Sequence, residues 1–110
     1  MIHAEDYEQG TDPVVDQIVT NLRQVYDPEI WTNIYDLGLI YNIDLNEDMD
    51  LKVTMTLTSP FCPVGDQLYM QVHEACEVPS IKNIDIDMTF EPPWDMNMIP
   101  DHAKLEMGLL

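Results

Sequence analysis

The sequence predicts an α+β fold: two layers, a mixed three-stranded sheet with helices on one face, in the order α-β-β-α-β-α. Three observations lead there. Each strand candidate alternates apolar with polar residues, whereas a sheet covered on both sides would read as continuous apolar runs. A short polar loop joins the first two strands, as in a hairpin. The third strand follows a helix, and such a crossover makes it parallel to its neighbour in the same sheet.

The first helix is expected in "TDPVVDQIVTNLRQV", residues 11–25. Thr11 or Asp12 can cap it and Pro13 suits its first turn. Val14, Val15, Ile18, Val19, Leu22 and Val25 share one broad face. Asp27-Pro28 closes it, because the residue before a proline avoids helical angles.

The strand "LIYNIDL" sets Leu39, Tyr41, Ile43 and Leu45 against Ile40, Asn42 and Asp44. A polar turn at 46–50 leads into "LKVTMTLT". There Leu51, Val53, Met55 and Leu57 alternate with Lys52, Thr54, Thr56 and Thr58, which read simply as solvent-facing β-formers.

The second helix is expected in "CPVGDQLYMQVHEACEV", with Val64, Leu68, Val72, Ala75 and Cys76 as its apolar stripe. The third strand, "IDIDMTFE", places Ile84, Ile86, Met88 and Phe90 on one face. "EPPW" must leave the sheet, since prolines donate no ladder bonds, and Trp94 is read as an anchor on the core. "PDHAKLEMG" forms a short last helix ending at Gly108. Residues 1–10 are expected to be flexible and residues 11–110 to form one domain.

Charge narrows the partners. The chain of 110 residues has 21 acidic against 4 basic side chains, a net charge of −17. Such a surface repels phosphate backbones, which excludes nucleic acid, and favours basic partners or high-salt adaptation where it is more than a solvated face. No stretch is long and apolar enough to span a membrane and the start lacks a secretory pattern, so a soluble, cytoplasmic protein is expected.

Two cysteines are present, Cys62 and Cys76, with no metal-finger spacing. Cys76 lies on the apolar stripe and reads as a buried small hydrophobe. Cys62 precedes Pro63 at the expected mouth of the second helix. Unpaired N–H groups and the positive dipole end converge there, which stabilises a thiolate. Position alone leaves a functional thiol and an incidental cysteine equally open. If the helix is continuous, the fourteen positions between the thiols span roughly 20 Å, too far for a disulfide or a shared metal ion. His3, His73 and His102 show no ligand spacing and read as surface residues. Asp27 and Asp36 can simply cap turns, with Gly38 supplying a permissive backbone. No nucleophile elbow, glycine-rich phosphate loop or zinc-protease motif occurs, and no base is placed beside a cysteine, so an autonomous enzyme is not expected.

"VYDPEI", "YDLGLIYNI", "VTMTLTSPFCPVGDQL" and "FEPPWDMNMI" together resemble the MIP18-like family, also called domain of unknown function 59. The resemblance runs in order from about Asp12 to Gly108. It implies a fold like the iron–sulfur cluster assembly scaffold domain and a SufT-like role in cluster assembly or maturation. A metal-free adaptor and a PaaD-like accessory subunit of a ring-oxygenase complex are the alternatives. It marks Cys62 as the reactive cysteine, Asp27, Pro28 and Glu29 as the acidic motif, and Asp36, Leu37 and Gly38 as the second loop. Thr56, Thr58 and Ser59 match the run leading into the cysteine. Phe61, where many relatives carry glycine, and Asp95, where threonine is common, depart from the pattern. The eukaryotic targeting factors usually carry extra N-terminal sequence, so a bacterial SufT-like protein fits better.

A cluster usually takes four thiolates, and this chain offers one well-placed thiol. The implied cargo, iron or an iron–sulfur cluster, is therefore held transiently at Cys62. A partner supplies the other ligands, or a homodimer brings two copies of Cys62 together. The implied partners are the assembly machinery and client apoproteins. Glu29 and Asp36, if near Cys62, would ligate iron or hold a partner's basic side chain. Carboxylates beside a thiol raise its pKa, which argues against their activating it.

Overall fold

A computed structural model describes residues 2–27, 30–58 and 65–108. The elements run β1 Ile2–His3, α1 Pro13–Leu22, β2 Ile40–Leu45, β3 Asp50–Met55, α2 Gly65–Ala75, β4 Asn83–Met88 and α3 Asp101–Glu106. Short 3-10 turns occupy Ala4–Asp6 and Met96–Met98.

The fold is α+β with a mixed sheet, but the sheet has four strands, in the order β1-β2-β3-β4, where three were expected. β1 pairs antiparallel with β2 through Ile2 and His3 alone. Two residues carry no legible alternation, and β1 lies in the stretch expected to be flexible; Ala4 just after it is buried. β2 and β3 form the antiparallel hairpin, and β3 and β4 run parallel across the α2 crossover, as expected.

Asp12 caps α1, its carboxylate accepting from the N–H groups of Val14 and Val15, with Pro13 in the first turn. Val15, Ile18, Val19 and Leu22 are buried. The helix ends at Leu22 rather than at Val25. The chain tightens there into shorter-range bonds, Gln24 N–H to Asn21 O and Val25 N–H to Leu22 O, and Val25 still reaches the core. Asn21 Nδ2 donates to Ala75 O at 2.9 Å and ties α1 to α2.

A register shift lies between Ile40 and Asn42, leaving Tyr41 as the extra residue of a bulge. The alternation expected for this strand is thereby broken. Ile40 and Ile43 are both buried and Tyr41 leaves the apolar row. In β3, Leu51, Val53 and Met55 are buried while Lys52 is exposed. Leu68 and Val72 of α2, Cys76 after it and Ile86 of β4 complete the core with the buried side of α1. The strands thus bury one face, and α1 and α2 supply its cover. Fully burying each large aliphatic side chain stabilises the fold by about 1.5–3 kcal/mol. β4 ends at Met88, before the prolines, and α3 is followed by Gly108 at φ 79°.

Candidate functional site

The first acidic motif is a structural turn around Asp27. Its side chain is buried and accepts from Ile30 N–H at 3.1 Å. Its main chain accepts from Trp31 N–H at 2.9 Å and donates to Thr32 O at 3.0 Å. A bridge between Tyr26 and Asn33, with Ile34 N–H on Val25 O at 2.9 Å, closes the loop. Trp31 at its tip has φ 60° and is 78% exposed. A bulky side chain in that left-handed region costs on the order of 1–3 kcal/mol.

Asp36 is engaged on several sides by the chain's own groups. Asn33 Nδ2 donates to Oδ2 at 2.9 Å, and Asp36 N–H donates to Asn33 Oδ1 at 2.8 Å. Arg23 Nε stands 3.4 Å from Oδ1, an ionic contact rather than an aligned hydrogen bond. His102 Nε2 lies 3.8 Å from the same oxygen. The Arg23 guanidinium sits 5.0 Å above the Tyr35 ring. Burial pushes the Tyr35 hydroxyl above its ordinary pKa of 10.0, although Arg23 pulls the other way.

Gly38, at φ 81°, lets the loop pass under the C-terminal segment; a Cβ there would lie 2.8 Å from Met98 O. Two hydrogen bonds pin that segment: Trp94 Nε1 donates to Leu37 O at 2.7 Å, and the Tyr41 hydroxyl donates to Pro92 O at 2.7 Å. Trp94 is therefore an anchor, as read from the sequence.

The threonine run enters this region from β3. Thr56 N–H donates to Leu39 O at 2.9 Å, joining the run to the Asp36–Gly38 loop. Thr56 is fully buried, contrary to the solvent-facing reading, because the strand ends at Met55 and alternation stops: Met55, Thr56 and Leu57 are buried in succession. Its hydroxyl donates to Leu57 O at 3.4 Å. Burial pushes the Tyr41 hydroxyl above its ordinary pKa. Thr58 Oγ1 is buried with no hydrogen-bond partner among the described residues.

Asp27, Asp36, Gly38 and Thr56 thus belong to one connected network of loops, at the end of the sheet where β3 finishes, and Thr58 follows two residues after Thr56. Pro28, Glu29, Ser59, Phe61 and Cys62 lie outside the described residues, as do the positions 62–64 where the second helix was expected to start. Cys76 is buried, and desolvation pushes its thiol up to about 12. Among the described residues no three His, Cys, Asp or Glu side chains are grouped to hold a metal ion. Two surface depressions lie at the other end of the sheet, where β3 and β4 begin.

Sequence reading missed Arg23, Asn33, Tyr41 and His102 as members of this network. Asn33 three residues before Asp36 is a side-chain turn signature that could have been used. Arg23 and His102 converge on Asp36 only through the tertiary fold.

Residues 15–87 match the model of a family described as iron–sulfur cluster assembly protein. The chain belongs to this family. The resemblance drawn from the four motifs to the MIP18-like domain therefore holds. Among relatives, an "Fe-S protein maturation auxiliary factor" of Porphyromonas gingivalis is 50% identical, over 86% of this chain and 91% of its own. The "Fe-S protein maturation auxiliary factor YitW" of Bacillus subtilis is 35% identical, over 86% and 93%. Among solved structures, a domain of unknown function, DUF59, from Bacillus anthracis superposes with a TM-score of 0.79 at 30% identity, covering 88% of this chain and 93% of that one. No described helix of this family member is long and apolar enough to cross a membrane.

Proposed function

We propose that this chain is an iron–sulfur protein maturation factor that handles iron, sulfide or a preformed cluster as transient cargo at Cys62. The observation that carries this reading is the 50% identity, over nine-tenths of its length, to a protein named for that role. The chemistry of the cysteines supports it. Of the two thiols, Cys76 is sealed in the core and holds its proton up to about 12, so the thiolate must come from Cys62.

One thiolate leaves a cluster short of ligands. The handover is then a ligand exchange: the Cys62 sulfur binds iron, its proton leaves to solvent, and an assembly protein or client apoprotein supplies the remaining ligands. Glu29 is assigned to cargo or partner, as the family resemblance implies. Asp36 serves the loop instead, since its oxygens are engaged by Asn33, Arg23 and His102. Asp27, Gly38 and Thr56 hold the loops together, and Thr58 leads along the chain into Ser59 and Cys62. In this role the chain is a carrier rather than an enzyme, acts in the cytoplasm, and meets the assembly machinery and its clients.

The test is replacement of the native protein by Cys62→Ser in cells. A cargo handler loses client cluster occupancy, read as iron per client and client activity. Retention of both at wild-type level would favour the metal-free adaptor.

A further inference from the structure

Trp31 combines two features that a folding role does not explain. Its side chain is 78% exposed, and its backbone sits at φ 60°, where glycine or asparagine would fit with less strain. The strained residue is nevertheless held firmly, through its own N–H on Asp27 O and that of Ile30 on the buried Asp27 carboxylate. Tyr26, at the base of the same loop, is 54% exposed. The fold thus fixes an aromatic face outward.

We infer that Trp31 is an anchor on which an arginine side chain of a basic partner protein stacks. An indole face attracts a cation, and arginine most readily because its planar guanidinium stacks as well. The field of a chain with net charge −17 draws such a partner in. The same charge repels a second copy of this chain, nucleic acid and anionic lipid. Among the described residues the cation–ring contact is that of Arg23 over Tyr35, with Arg23 also against Asp36, and none of the four basic side chains lies over Trp31. This deepens the maturation-factor reading by giving its partner a chemistry, and it does not involve Cys62.

Short peptides of alternating arginine and glycine, and their lysine equivalents of equal charge, are titrated into the full chain and its Trp31→Gly and Trp31→Asn variants. The wild type is expected to bind the arginine peptide about threefold or more tighter than the lysine peptide. Both variants lose that preference, keep the lysine affinity, and melt no lower than wild type. An arginine preference that survives in the variants, or is absent from the wild type, overturns the inference. So does a lower melting temperature, which would show the ring serving the fold. Either failure leaves the thiol reading standing, because a Cys62→Ser protein keeps the arginine preference.

Discussion

Gly38 and Met98 meet backbone to backbone: a Cβ on Gly38 would lie 2.8 Å from the Met98 carbonyl oxygen. The contact closes the C-terminal segment over the Asp36 loop, and the Trp94 bond to Leu37 O lies one residue away. Gly38→Ala therefore meets both a clash and an unfavourable φ, and is expected to cost about 2 kcal/mol or more. Gly10→Ala is the control, since Gly10 has φ 95° with nothing within 4 Å, so only the backbone term of about 1 kcal/mol applies. Urea unfolding of the two variants measures the difference.

Asp36 separates a scaffold role from a ligand role. Asp36→Ala strands Asn33 and Arg23 and is expected to cost about 1–3 kcal/mol. Asp36→Asn keeps part of the hydrogen bonding and costs less. Client maturation in cells should follow the stability loss and recover when the strain is grown cooler. Loss of maturation by an Asp36→Asn protein of undiminished stability would make the carboxylate a ligand instead.

Alkaline pH reports on Cys76. Its folded pKa, pushed up to about 12, lies above the ordinary 9.0, so the folded chain binds this proton more tightly than the unfolded one. The associated stability is fully present below pH 9 and is lost as the pH rises toward about 12. Over that window this one group contributes a limiting slope of about −1.4 kcal/mol per pH unit. Urea midpoints between pH 8 and 11 should fall less steeply for Cys76→Ala, which starts from a lower stability because of the small cavity.

How far the sequence alone reveals this molecule depends on the range of the interactions. Asp12 and Pro13 announce the start of α1 because capping is local. The hairpin and the parallel β3–β4 pair follow from alternation and connection length. β1 is two residues long and pairs across forty positions, so no local pattern marks it. The Tyr41 bulge inverts an alternation that looked regular, and Thr56 is buried because a strand end, not a strand, contains it. At the candidate site, the motifs pick out loops that the fold joins, Thr56 N–H donating to Leu39 O beside Gly38. The engagement of Asp36 by Arg23 and His102 is a tertiary fact that spacing does not encode.

Transfer of a cluster between purified proteins probes the role of Cys62 most directly. A cluster-loaded donor and an apoprotein client are mixed anaerobically with wild type, Cys62→Ser or Cys76→Ala, and client activity is followed in time. Wild type and Cys76→Ala should accelerate the transfer alike, and Cys62→Ser should leave it at the rate without the factor. Acceleration by Cys62→Ser equal to wild type would contradict the account.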